Sequence, residues 1–396
     1  MIGRAFPVLL GTGLVANVSL VPPMQNAPRV WDVVLVVFAA RTLWLVATRR
    51  FHPPVILAGL AALAFLGFAL IGVETGDTGL VIASTRFGIG ILAALALVAT
   101  LEGPGQIEAF LRGGALGALL VGFLALAQTY GVAGSFLLVP AGTPDWFVGD
   151  GQMRAVGIWQ HPNELAQAQG IGAAMALALC WQRRTLLIPV LLFGTIVALT
   201  YQVTQTRALL AVSGVVFLGT MVLHPDRSLR GAFLVVAVPA GAFGLVLAEP
   251  MLGERWFGAQ GDGRELFGNL VERLQGWGYA LRAIADNPLG YGVEGRVRAL
   301  ESRGYVGQAS HNGYLGLAIS FGVLPAALAL LALGSGALRN LCDPVWAGFL
   351  PVYGAALLLL MVEDSIFSSS LQAVLFLGVF GGLATFGGMA RLKVSA

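Results

Sequence analysis

An all-α, polytopic membrane protein is the fold class to which three features of this chain point. Hydrophobic residues fill 57% of its 396 positions and charged residues only 11%, whereas soluble domains carry roughly 25% charged residues. Apolar runs close to the ~20 residues that cross a bilayer recur along nearly the whole length, and the mean hydropathy is +0.82. The 54 glycines suit the close backbone approach by which helices associate in lipid. The chain therefore reads as a single integral membrane domain over residues 1–396, without a soluble domain, repeat or low-complexity linker.

About twelve spans are expected from these runs. They fall near Phe6–Val21, Val30–Ala47, Pro54–Val73, Gly79–Leu101, Ile107–Val132 and Pro162–Trp181. The later ones are near Leu186–Tyr201, Ala208–Leu223, Ala232–Ala248, Asn312–Gly334, Trp346–Val362 and Leu371–Ala390. The first run resembles a signal peptide but lacks an A-x-A cleavage pattern, so it is read as a span. Basic residues concentrate on the cytoplasmic side of membrane proteins. With both termini cytoplasmic, the inner connections hold Arg49-Arg50, Arg112, Arg183-Arg184, Arg227, Arg230, Arg339, Arg391 and Lys393. Short outer connections hold Glu74 with Asp77 and Glu363 with Asp364 instead. Cys180 and Cys342 fall at inner span ends, where a disulfide framework is not expected. No basic stripe on a soluble face marks a nucleic-acid partner.

One stretch breaks the apolar pattern. Residues 249–310 form a large outer loop that holds seven arginines between Arg255 and Arg303. It also carries Trp256, Phe257, Phe267, Trp277, Tyr279 and Tyr291, which disordered segments lack. Within it Leu266, Phe267, Leu270, Val271, Leu274, Trp277, Leu281 and Ile284 recur at helical spacing, one face of an amphipathic helix. Asn269, Arg273, Gly276 and Ala280 form the neighbouring stripe, expected to leave a shallow groove for a ligand, and a helix lying on the membrane surface fits the pattern as well. Asp286-Asn287-Pro288 ends the helix, and Gly290 and Gly292 give a tight turn.

Candidate chemistry sits at outer helix ends. Arg207 opens the eighth span after Thr206, a candidate N-cap. A helix N-terminus presents free N–H groups and a positive dipole end, so an arginine there makes an anion site; the plainer reading is an interfacial anchor. Arg273 lies four residues before Trp277, either in the groove or solvated. His311 stands at the start of the tenth span, where the dipole favours the neutral imidazole a general base needs; the plainer reading is a polar cap. Pro162 at the first helical position makes His161 a structural N-cap, with Asn163 and Glu164 within one turn of it. Arg86 lies about two turns inside the fourth span, so it either joins an anion pocket or pairs with a carboxylate. No catalytic signature of known spacing occurs in a supporting context, and no outer carboxylate cluster reads as a metal site. The inventory permits an anion handled by arginines with a histidine base, without metal or cofactor.

These stretches resemble the O-antigen ligase and O-antigen polymerase family of bacterial envelope glycosyltransferases. The resemblance runs through Gly157-Ile158-Trp159-Gln160-His161-Pro162-Asn163-Glu164-Leu165-Ala166 and Thr204-Gln205-Thr206-Arg207. It continues in Arg273 with Trp277, Asn287-Pro288-Leu289-Gly290-Tyr291-Gly292, and His311-Asn312-Gly313-Tyr314-Leu315 with Gly322. Glutamine and threonine precede Arg207 where the family often has serine. The resemblance implies a GT-C-like architecture in the bacterial inner membrane with a periplasmic site. It implies metal-independent, inverting transfer of a glycan from undecaprenyl pyrophosphate to a sugar hydroxyl, on lipid A-core for a ligase or on another lipid-linked unit for a polymerase. The family's essential arginines fall on Arg207 and Arg273 and its histidine on His311. Arg86, His161, Asn163, Asn312 and Tyr314 are expected to bind the pyrophosphate or glycan.

Two other classes compete. A transporter or flippase of polysaccharide precursors would show paired repeats and broken helices near the midplane, and neither is legible in the sequence. A metal-dependent polyprenyl-phosphate sugar transferase would favour an acidic residue in the first outer loop; Pro22 to Arg29 holds none, and Asp32 lies just beyond. A protein-directed oligosaccharyltransferase would be expected to carry further soluble domains.

Overall fold

The computed structural model describes residues 2–16, 53–101, 104–140, 154–182 apart from 160, 187–224, 264–305, 311–342 and 347–362, with part of 29–40 and isolated positions near 230. Most of the expected second span, the ninth and twelfth spans, and residues 249–263 and 306–310 of the loop lie outside the described residues. The described residues are helical and include no β-strand. Two stretches, Gly105–Thr129 and Leu187–Thr204, are long and apolar enough to cross a membrane, and five shorter apolar helices accompany them among the described residues.

In chain order the helices are α1 (Ile2–Val15), α2 (Pro53–Thr75), α3 (Thr78–Thr100), α4 (Pro104–Thr129), α5 (Pro162–Gln182) and α6 (Leu187–Thr204). They continue as α7 (Arg207–Leu223), α8 (Arg264–Asp286), α9 (Gly292–Glu301), α10 (Gly313–Phe321), α11 (Val323–Cys342) and α12 (Leu350–Val362). Proline opens α2, α4 and α5, where its missing N–H would have had no helical partner.

α5 is the innermost helix. From Ile171 to Cys180 its apolar side chains are buried almost without interruption, and α4, α6, α7 and α12 pack around it. Alanine and glycine dominate its sequence, so neighbouring backbones approach closely and dispersion contacts accumulate over its whole surface. α1 lies along α4 by the same device: a Cβ on Gly113 would collide with the Val8 carbonyl, and Thr12 Oγ1 donates to the Gly113 oxygen at 3.0 Å. On the far side, Phe65 of α2, Phe87 of α3 and Phe321 of α10 form an aromatic knot, with Phe65 stacked on Phe87 at 4.9 Å and edge-on to Phe321 at 5.2 Å.

The tenth expected span, Asn312–Gly334, is corrected by the structure to two helices, α10 and α11, separated at Gly322. Gly322 has φ +87°, and a Cβ on it would stand 2.7 Å from the Leu289 carbonyl oxygen and 2.8 Å from that of Pro288. Val323 N–H donates to Pro288 O at 2.8 Å. The loop therefore plugs the break, and a left-handed residue without Cβ is what that contact requires. The apolar run continues across Gly322, so hydropathy alone did not mark this break, although Gly322 and Pro325 stand at it.

Candidate functional site

The first part of the site surrounds the N-terminus of α5. His161 Nδ1 accepts the Asn163 backbone N–H at 3.0 Å, so the expected structural role of His161 as a cap is what the fold uses. Asn163 Oδ1 in turn accepts from Arg154 Nη2 at 3.0 Å and from Thr206 Oγ1 at 3.2 Å. Arg154 Nε donates to the Thr204 carbonyl at 2.6 Å, and Nη2 also reaches Thr206 Oγ1 at 3.2 Å. One guanidinium thereby fastens the entry of α5 to the elbow between α6 and α7, directly before Arg207. Ala155 N–H donates to Val203 O at 2.9 Å and completes the seam.

Thr206 occupies the N-cap position of α7, but its side chain makes no cap hydrogen bond. The expectation of a Thr206 side-chain cap is corrected here, because Asn163 and Arg154 engage that hydroxyl. Behind the same turn, Gln128 Nε2 donates to Gly157 O and its Oε1 accepts Gly157 N–H, each at 2.8 Å. That pair fixes the Gly157–Trp159 turn at φ +61° for Gly157.

Arg86 pairs with a carboxylate, its Nη2 3.0 Å from Asp32 Oδ2. The Arg29 backbone N–H donates to the same oxygen at 2.9 Å, and its guanidinium stacks 4.3 Å above the buried Trp159 ring. Burial pushes the Arg29 pKa below its ordinary value, while Glu164 and Asp32 act the other way. Arg29 Nη1 is buried with no hydrogen-bond partner. The N-terminal turn of α5 thus has Arg154 on one flank and Arg29 with Arg86 near the other. Neither Arg29 nor Arg154 stood out in the sequence, since each lies in a connection without periodicity.

The second part of the site surrounds the N-terminus of α10. Asn312 is the N-cap, its Oδ1 accepting from Tyr314 N at 3.0 Å and Leu315 N at 3.1 Å. The cap is therefore Asn312 rather than His311, and both substrate-binding candidates, Asn312 and Tyr314, have structural work: Tyr314 Oη donates to Leu357 O of α12 at 2.8 Å. Arg273 donates from Nη1 to the carbonyl of Val362, the last residue of α12, where the helix dipole is negative.

The groove expected beside Arg273 is corrected by the structure. A Cβ on Gly276 would stand 2.8 Å from Tyr305 Oη, and Ala280 is fully buried with Leu300, Tyr305 and Ile319. The small-residue stripe receives the chain's own α9 and α10. Asp286 and Arg303 close this subdomain through contacts at 2.6 and 3.1 Å, and that hydrogen bonding raises the Arg303 pKa above its ordinary value.

The two parts meet through α7 and α12. Gly170 of α5 faces both Leu209 and Leu359, while Gly354 faces Val216. The numbers run in opposite directions, so the helices are antiparallel and the start of α7 at Arg207 shares one end with Val362. Arg207, the Arg273–Val362 contact and the α10 cap with His311 therefore lie at one end of the α5–α7–α10–α12 cluster.

Among the described residues only Gln205 and His311 are non-glycine residues with positive φ, at 54° and 49°. Left-handed backbone at such residues costs about 1–3 kcal/mol and clusters at functional sites. Gln205 is two residues before Arg207, and His311 is itself a candidate. Sequence reasoning had no signal for this strain.

Residues 188–331 match the family model for O-antigen ligase. The match takes in Arg207, Arg273, His311, Asn312 and Tyr314 and leaves Arg86, His161 and Asn163 outside it. No curated protein matches the chain.

Proposed function

We propose, from the match of residues 188–331 to the O-antigen ligase family model, that this chain is a membrane glycosyltransferase working at a periplasmic site. The donor is a glycan on undecaprenyl pyrophosphate in the bacterial inner membrane, and the acceptor is a sugar hydroxyl of lipid A-core or of another lipid-linked unit. The observation that carries this reading is the pairing of left-handed backbone at Gln205 and His311 at one end of one helix cluster.

In this reading His311 removes the acceptor hydroxyl proton as the oxygen attacks the anomeric carbon. The bond to the pyrophosphate oxygen breaks on the opposite face, so the configuration inverts. Arg207 and Arg273 hold the departing pyrophosphate, and cations placed where charge develops supply several kcal/mol. Arg154, His161 and Asn163 are positioning residues for the start of α7, and Asn312 and Tyr314 are positioning residues for His311. Arg86 with Arg29 extends the cationic surround. No metal takes part in this scheme.

The test is transfer from purified lipid-linked donor by the full-length protein in lipid. His311→Ala should cut transfer by about 10²–10⁴-fold, the usual range for a lost general base, while donor binding persists and EDTA has no effect. Transfer at the parent rate would remove the base role, and a metal requirement would favour the polyprenyl-phosphate transferase. A deletion strain separates the two family activities: single-repeat glycan marks a lost polymerase, and bare lipid A-core with accumulated carrier-linked polymer marks a lost ligase. The break at Gly322 is a feature that transporters share. Here the chain's own Pro288 and Leu289 pack into it, which leaves the transferase reading in front.

A further inference from the structure

Helix α8 has two apolar faces of different kinds. Gly276, Ala280 and Ala283 face inwards, with Ala280 and Ala283 fully buried. Val271, Leu274 and Leu281 face away from them and are 50%, 52% and 58% exposed. Spacings of three and seven residues put these aliphatics on one stripe. The larger apolar residues are therefore outside and the small ones inside, the reverse of a helix on a soluble domain.

The stripe does not stop at the end of α8. Leu289 in the following turn is 78% exposed. The adjoining Pro288 carbonyl accepts the Val323 N–H at 2.8 Å, and Leu324 in that first turn of α11 is 69% exposed. α11 belongs to an expected span, so its exposed leucines face acyl chains. The turn after α8 and the start of the expected span therefore both leave large apolar side chains exposed at one junction. Arg282 stays on the flank of the stripe, its guanidinium 5.7 Å from the Tyr279 ring centre, as interfacial cations do when the stem is buried and the head is wet.

We infer that α8 lies in the plane of the membrane interface, its Val271–Leu274–Leu281 stripe seated in the leaflet at the candidate-site end of the bundle. Such helices sink their apolar face about 5–10 Å into the boundary between headgroups and chains. Arg273, on the flank of the helix and bonded to Val362 O, is then held at headgroup depth, where a lipid-linked pyrophosphate sits. The seat itself rests only on the chain being in a bilayer; the role given to Arg273 rests on the transferase reading.

The full chain, with Cys180→Ala and Cys342→Ser as background, is reconstituted in phosphatidylethanolamine–phosphatidylglycerol nanodiscs. Nitroxide labels are placed singly at Leu274→Cys, Leu281→Cys, Leu289→Cys and, as a flank control, Gln275→Cys. Collisional relaxation by oxygen should exceed that by a water-soluble nickel chelate at the three leucine positions and fall below it at Gln275→Cys. Nickel dominance at all four positions would place the stripe in water and overturn the seat. Spin–spin broadening at the leucine positions would assign the stripe to a second copy of the chain and equally overturn it. Transfer assayed in the same discs keeps the two readings apart. Normal transfer with nickel-dominated labels removes the seat alone, and oxygen-dominated labels on an inactive parent chain remove the transferase reading alone.

Discussion

The polar groups around α5 and those around α10 are held in place by different means. At α5 one guanidinium ties three segments together: Arg154 donates to the Thr204 carbonyl, to Asn163 Oδ1 and to Thr206 Oγ1, and Thr206 Oγ1 also donates to Asn163 Oδ1. At α10 the bonds are local or go to backbone, as Asn312 caps its own helix and Arg273 and Tyr314 bond carbonyls of α12. The packing that supports α10 is a contact between glycine backbones, Gly290 against Gly322. A network of charge-assisted hydrogen bonds between three segments resists rearrangement, because moving one member strands the others. At α10 each long-range bond goes from one side chain to one carbonyl, so a shift of one neighbour leaves the others in place. Under the proposed function, the α5 side keeps the elbow that carries Arg207 in a fixed place, and the α10 cap beside His311 adjusts around an incoming acceptor.

The largest effect is expected from Arg154→Met. It removes hydrogen bonds from a charged donor to Thr204, Asn163 and Thr206 and should cost about 3 kcal/mol, read as a lower melting temperature. Donor half-saturation should rise while acceptor half-saturation holds. Arg154→Lys should not rescue it, since an ammonium cannot span the fork. If acceptor dependence moved instead, the division between the two sides would be wrong.

Gly290→Ala comes next. Gly290 has φ +92°, and a Cβ there would lie 2.6 Å from Gly322 N. Left-handed strain with that clash should cost about 2 kcal/mol and raise acceptor half-saturation more than donor half-saturation. Equal changes in both would show that α10 and α5 respond as one unit.

Tyr314→Phe is the mildest. Losing the bond to Leu357 O should cost about 1 kcal/mol, with a small drop in melting temperature and little change in donor binding. A loss of transfer as deep as that of His311→Ala would make the hydroxyl a participant in the reaction.

Much of the helical content was legible because it depends on local pattern: Pro162 and the apolar run after it mark α5, and Asp286-Asn287-Pro288 ends α8 as expected. Arg207 and His311 were legible as polar residues at the ends of apolar runs, and Arg273 as a charge on the small-residue stripe of the loop helix. Arg154, Arg29 and the seam through Asn163 were not, because their partners are remote in sequence. The α8 groove was misread for a related reason. A stripe of small residues shows that something approaches closely, without showing whether it is a ligand or Tyr305.

What the amino-acid order determined alone was the solvent class of this chain and the helix ends where charge gathers, since hydropathy and capping are properties of neighbours along the backbone. Tertiary structure alone decided which ends share one side, which arginine clamps the elbow before α7, where a span breaks, and which face of α8 is left uncovered. Those outcomes depend on packing between segments dozens of residues apart, where burial and hydrogen-bond pairing are settled only once the helices have met.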